Sequence, residues 1–366
     1  MDAGTKIRRI TVEPLEVPLI EPFIIAIGRL DRVSNVLVTI ELENGVIGYG
    51  EGAPLPSISG ETQATVLAAV NDIRSLIIGR DAADWRGIAR AMLGCIHAQA
   101  CARTAVEMAL VDGWAKSQRL PLWKLLGGAG ATVATDMSIP IVPADHAARL
   151  AAQAATRGFQ VLKIKVGEGP VADLARIAAV HAAAPQCRLT IDANQGYTPE
   201  EAITVADALH QRRIAIDLFE QPVHRQDREG MGRVRRQSRI PVAADESVWH
   251  ATDVADLAAR QAIDVVNLKL MKSGIAEGLE LVAAARAHGI GLMIGGMIET
   301  RLAMGCAAHL AAGQGDFSFV DLDASLLLAE DPLDGGHRIV GCTYDLSPVV
   351  ASIGCWPRGR PSGFLP

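Results

Sequence analysis

Apolar and polar positions along this 366-residue chain follow two different rhythms. Over roughly the first 125 residues, strands come first and helices follow. Residues 7–19 (IRRITVEPLEVPL) and 35–42 (NVLVTIEL) are rich in β-branched side chains, and Glu43-Asn44-Gly45 makes a turn before VIGYGE. Residues 61–78 and 81–94 then read as helices. Residues 97–117 read as a longer one, with Ala105, Met108, Ala109, Val111 and Ala115 recurring near helical spacing. Gly127, Gly128 and Gly130 stop that pattern after LWKLL. Strands followed by helices describe an α+β unit.

From residue 132 the rhythm changes. Eight short apolar segments alternate with Ala-rich amphipathic ones: ATDMSIPI, GFQVLKIKV, RLTIDAN, IDLFEQP, IPVAADE, AIDVVNLKL, GIGLMIGG and FSFVDLD. Each but the last precedes a helix-like stretch such as ADHAARLAAQAATR. Eight such units fit a closed α/β barrel, (β/α)8 or a (β/α)7β version with seven helices. A doubly wound open sheet is the alternative, but it commonly has fewer strands. The last forty residues hold LLLAEDP, a Gly-Gly turn and several prolines, and are expected to run back to the first unit.

Composition narrows the function classes. Apolar residues make up 49% and charged residues 21%, as in soluble globular proteins. A net charge of −6 and 4% aromatics argue against a nucleic-acid footprint and against base-stacking platforms. No run of eighteen apolar residues predicts a membrane span, and MDAGTKIRRI lacks the apolar stretch of a secretory signal. The six cysteines are scattered without a C-x-x-C pair, so they read as free thiols in a reducing cytoplasm. No dinucleotide, P-loop or G-x-S-x-G motif occurs, and the histidines show no metal-ligand spacing.

The informative charges sit at the C-terminal sides of the predicted barrel strands. They are Lys163 and Lys165, Asp192 and Asn194, Glu220, Asp245 and Glu246, Lys269, Glu299, then Asp321 and Asp323. From Lys165 the gaps are 27, 28, 25, 24, 30 and 22 residues, about one strand–helix unit each. A barrel gathers such residues at one face, where barrel active sites lie. Asp192, Glu220 and Asp245, from consecutive strands, would repel one another without a cation, and all-oxygen ligation suits Mg²⁺, with Mn²⁺ the second choice. Lys163 and Lys165 are two apart and share a face, where mutual repulsion and burial would lower their pKa toward that of a general base. Lys269 would stand across the barrel, so a substrate between would have a lysine on each side. Lys272 reads instead as a surface lysine capping a carboxylate.

The motifs LKIKVG, DANQGY, FEQPV, ADES and NLKLMKSGI together resemble the enolase superfamily, in its muconate-lactonizing subgroup. The resemblance spans the chain. It implies a (β/α)7β-type barrel at 129–328 under an α+β capping domain made from 1–128 and a C-terminal return at 329–366. It implies Mg²⁺ on Asp192, Glu220 and Asp245, and Lys165 and Lys269 as acid/base groups on opposite faces. Lys163 would lie near the substrate carboxylate, lower the pKa of Lys165 and help stabilise an enediolate. Asn194 and Glu246 would support the metal surroundings and Lys269 respectively. FSFVDLDASLLLAEDP looks like the dipeptide epimerase branch, in which Asp321 and Asp323 would grip the substrate α-ammonium.

The reaction implied is inversion of the α-carbon of the C-terminal residue of an L,L-dipeptide by two-base 1,1-proton transfer. In the branch acting on Ala-Glu, a basic residue in the first capping loop (here 20–32) pairs with the glutamate side chain. Gly28 stands at that position, with Arg29 beside it. An Ile-rich loop favours apolar or broad specificity, while an inward Arg29 would restore an acidic one. Ile298, Ser138 and Ile139 are further pocket candidates, equally readable as core. N-succinyl amino acid racemisation, o-succinylbenzoate synthesis and muconate cycloisomerisation share the metal site and lysines, and the Asp-x-Asp pair is what separates them. A non-catalytic amine-binding barrel is the reading from another class, opposed by retention of all three candidate ligands and both lysines. Homo-oligomerisation is common in the family, but no stretch specifies it.

Overall fold

Two antiparallel strands, Ile7–Ile25 and Gly28–Leu42, form a hairpin much longer than the alternation at 7–19 and 35–42 predicts. The stretch expected to be a loop at 20–32 is the far end of this ribbon, with Phe23 opposite Leu30 and Ile25 opposite Gly28. A register break between Pro18 and Phe23 lets Leu19 bridge instead to Leu328, near the end of the barrel. The structure, a computed structural model, describes residues 4–364. Residues 1–3 of the stretch MDAGTKIRRI and the last two residues of the C-terminal return lie outside the described residues.

A third strand, Ile47–Gly52, completes the sheet by pairing with the second. Its glycines let it press on the helix Ala100–Gln118. A Cβ on Gly48 would stand 2.0 Å from Ala109 O, and one on Gly50 2.0 Å from Ala105 O. That helix is buried almost all round, because the sheet covers one side and the barrel another. The helices Gln63–Ile77 and Trp85–Cys95 complete this layer, the first opened by a reciprocal Thr62–Thr65 cap.

The barrel strands are Met137–Ile139, Val161–Lys165, Arg188–Asp192, Leu218–Glu220, Val242–Ala244, Val265–Lys269, Gly291–Gly295 and Phe317–Val320. All eight fall within the predicted segments, and they pair in parallel in chain order. The first and last are joined where Asp136 N–H donates to Val320 O at 2.9 Å. A 3-10 turn at Ala324–Leu327 follows the eighth strand. The C-terminal residues then return to the first sheet, where Tyr49 OH donates to Pro361 O at 2.8 Å. Among the described residues no helix is long and apolar enough to cross a membrane, and all six cysteines are free.

Candidate active site

Lysines and carboxylates from six barrel strands or their C-terminal ends converge in one buried cage at the C-terminal side of the sheet. Lys163, on the second strand, is its centre. Its Nζ lies 2.6 Å from Asp321 Oδ2, 2.7 Å from Glu220 Oε2 and 3.1 Å from Asp192 Oδ2. Lys165, two residues on along the same face, donates to Asp192 Oδ2 at 2.6 Å. On the far side, Lys269 Nζ lies 2.8 Å from Asp245 Oδ2. All these side chains are buried. Buried charges persist only when paired, and the cage pairs each lysine with at least one carboxylate.

The pairing sets the proton affinities. Burial opposes the charge on Lys163, but Asp321, Glu220 and Asp192 outweigh it and hold its pKa well above the usual lysine value. The expectation that a neighbouring lysine depresses Lys163 therefore fails: three carboxylates close on it. Lys269 is raised as well, with Asp245 overcoming burial. Burial pushes Asp192 up, but Lys165 and Lys163 bring it down to about 2. Glu220, lifted by burial and then by Asp192, reaches about 7. Burial, Asp245 and Asp192 together carry Glu246 to about 8.

Neighbouring polar groups fix the orientations. Asn194 N–H donates to Asp192 Oδ1 at 2.9 Å, and its side chain reaches Glu246 Oε1 at 3.3 Å. Asp323 accepts from Ser138 N–H at 2.6 Å. Lys272 is buried, which corrects its reading as a surface lysine. It does cap a carboxylate, holding Asp245 Oδ1 at 2.7 Å, and it also donates to the Asp245 carbonyl.

Three participants escaped the sequence reading. Asn267 donates to Glu220 Oε1 at 2.7 Å, and its spacing of two from Lys269 was the available signal. Asp136 brings an oxygen within 4.8 Å of Asp321 and Asp323, and it stands two before Ser138. The Phe23 ring lies 6.0 Å from Lys165 Nζ, but the loop reading of 20–32 hid its strand.

Arg29 is not brought to the cage. Its side chain is 58% exposed and pairs with Asp31 at 2.8 Å, a contact available two residues along the same ribbon face. Ile298 is half-buried and packs on an apolar cluster with Phe23, Val17, Leu19, Val33 and Leu328 beside the cage. Ile139 is buried as core.

The donor set suits a hard divalent ion. Asp192, Glu220 and Asp245 offer buried oxygens from consecutive strands. Glu220 Oε2 and Asp245 Oδ2 face ammonium groups but accept no aligned hydrogen bond. Among the described residues, the trio of carboxylates with oxygens mutually within 4.8 Å is Asp136, Asp321 and Asp323. In the expected trio, Lys163 stands between Asp192 and Glu220, and Asp245 is held by Lys269 and Lys272.

Residues 7–127 match the mandelate racemase / muconate lactonizing enzyme N-terminal domain, and residues 146–347 match the enolase C-terminal domain-like family. The chain belongs to the mandelate racemase / muconate lactonizing enzyme group of the enolase superfamily. Within this superfamily it is 43% identical to an L-Ala-D/L-amino acid epimerase of Populus trichocarpa, over 95% of this chain and 84% of that protein. It is likewise 43% identical to an aromatic dipeptide epimerase of Herpetosiphon aurantiacus, over 94% of this chain and 98% of that one. Its fold superposes with a TM-score of 0.92 on a dipeptide epimerase of Enterococcus faecalis V583 complexed with Mg and L-Leu-L-Tyr. That match is at 36% identity over 96% of this chain and 99% of the other.

Proposed function

We propose that this chain is a Mg²⁺-dependent dipeptide epimerase that inverts the α-carbon of the C-terminal residue of L,L-dipeptides of apolar or broad type. The observation that carries this reading is the buried pair Asp321 and Asp323, the first of them paired with Lys163 in a cage that also holds Lys165 and Lys269. Two carboxylates at that rim suit a substrate α-ammonium group. The relatives named as dipeptide epimerases support the same substrate class.

Asp192, Glu220 and Asp245 would hold the metal. When bound, it supplies electrostatic stabilisation of charge developing on the substrate carboxylate, which offsets the weak acidity of the α-proton. Lys165 removes the α-proton from one face and Lys269 delivers one to the other; the roles reverse in the opposite direction. Lys163 holds Asp192, Glu220 and Asp321 in register and presents a cation to the developing charge. Asp321 and Asp323 fix the ammonium end. Asn194 and Glu246 keep the metal carboxylates and Lys269 oriented. Phe23 and Ile298 supply an apolar wall, and Arg29, paired outside with Asp31, offers no counter-charge for an acidic side chain. The same reading places the protein in the cytoplasm, with 1–128 and 329–366 capping a barrel at 129–328.

The test is a mass-spectrometric screen in deuterium oxide with Mg²⁺ and pooled L,L-dipeptides carrying acidic, cationic or apolar second residues. A gain of one mass unit on apolar members, lost with chelator or when Lys165→Ala and Lys269→Ala are combined, is expected. No gain in any pool with the metal bound would overturn the reading.

A further inference from the structure

The two lysines are anchored by different halves of the molecule. Lys269 ends the sixth barrel strand, and the helix Leu270–Ala287 begins at the next residue. That helix is broken at Gly274 (φ 77°, ψ −176°), so residues 270–273 form a separate turn and regular helix starts at Ile275. The new start exposes backbone N–H groups without intrahelical partners. Glu107, buried on the capping helix Ala100–Gln118, fills this role. Its Oε2 accepts from Ile275 N–H at 2.8 Å and Ala276 N–H at 3.0 Å.

Two other residues on the same helix face hold the turn. Thr104 Oγ1 donates to Leu270 O at 2.7 Å, and Cys101 Sγ contacts Met271 O at 3.5 Å. Positions 101, 104 and 107 are three apart and share one stripe. The fit is tight: a Cβ on Gly274 would stand 2.7 Å from Glu107 Oε1. The backbone on both sides of Gly274 is thus tied to the capping helix, immediately after Lys269.

Lys165 is held differently. Arg176 donates to Lys165 O at 3.2 Å and to Asp173 Oδ1 at 2.6 Å. Asp173 Oδ2 accepts from the N–H groups of Gly167, Glu168 and Gly169 at 2.9, 3.1 and 3.0 Å, and from Tyr197 OH. Every member of this cluster belongs to the barrel.

We propose that Glu107 is a positioning residue for Lys269, through its grip on the segment 270–276, while Asp173 and Arg176 position Lys165. This rests on the two-base reading above and adds that each face of the reaction has its own support.

The test follows loss of the α-proton into deuterium oxide at saturating Mg²⁺, starting from each epimer separately. Glu107→Ala is expected to slow exchange at least tenfold for the epimer that Lys269→Ala disables, and by less than twofold for the other. Glu107→Gln keeps an acceptor oxygen and should recover most of the loss. Gly274→Ala, acting from the other side of the contact, should reproduce the Glu107→Ala asymmetry. Arg176→Ala should show the opposite asymmetry, with Asp173→Asn as its substitute where it does not fold. Equal loss for both epimers in Glu107→Ala would overturn the proposal. Backbone amide exchange without substrate is the second arm. Glu107→Ala should deprotect 270–276 alone, and unchanged protection or barrel-wide deprotection would also overturn it. If the wild-type protein exchanges neither epimer, the epimerase reading falls, and the amide arm still decides whether Glu107 sets this segment.

Discussion

Lys163 touches three carboxylates at once, and its position explains why they coexist in a dry site. Removing one partner of a buried ion pair costs about 3–5 kcal/mol, because it strands the other charge. Lys163→Met is therefore expected to lower unfolding stability by about that amount in metal-free protein. Calorimetry with and without Mg²⁺ would check this, with the ion recovering part of the loss by binding the freed carboxylates. Asp321→Asn, which spares most of the packing, should reduce dipeptide kcat/KM at least a hundredfold while the circular dichroism spectrum stays native. Arg29→Ala should leave kcat/KM within twofold, since its partner Asp31 is as exposed as it is.

These residue roles were legible to different degrees. Carboxylates and lysines recurring once per strand–helix unit could be found by spacing. The pairing of Lys163 with Asp321 could not, because it joins positions 158 residues apart. Nor could the burial of Lys272, which lies in the short turn between Lys269 and the break at Gly274.

Among the elements, the close contact between the strand Ile47–Gly52 and the helix Ala100–Gln118 fixes how the capping layer sits. Gly50→Ala would drive a methyl group into the backbone oxygen of Ala105. Such overpacking costs about 1–3 kcal/mol. Thermal denaturation should show a Tm lower by about 1–4 °C, and an unchanged Tm would mean that the strand can lift away without cost. The eight barrel strands were legible because each is a short apolar run, and all but the last have a helix after them. The far end of the first hairpin was not. Its turn falls at Ala26-Ile27, which carry none of the residues that usually mark a two-residue hairpin turn. That is why Phe23, the ribbon's contribution to the apolar wall, was missed.

At the scale of the whole molecule, His309 ties three parts of the chain together. Its Nδ1 accepts from Trp123 N–H at 3.1 Å, and its Nε2 lies 3.3 Å from Ile353 O. Burial lowers its pKa to about 3, and burial lowers His337 to about 3 as well. Both fall below the ordinary histidine value, so the unfolded chain binds these protons first as pH drops. Stability from this source is complete above about pH 6.5 and is lost progressively toward pH 3, by a few kcal/mol for each histidine. Denaturant midpoints measured across that window should fall with pH, and the slope should be shallower in His309→Gln. Isolated histidines give no such signal in the sequence, because burial comes from segments distant in the chain.

In the two-base proposal, lysines on opposite sides of one barrel serve opposite faces of one carbon. The direct measurement is α-proton exchange in deuterium oxide, with Mg²⁺, from each epimer of an apolar dipeptide, using Lys165→Ala and Lys269→Ala. Each variant should lose epimerisation yet retain exchange with one epimer, and the retained epimer should differ between the two. Loss of exchange with both epimers in both variants, or epimerisation surviving in either, would contradict the proposal.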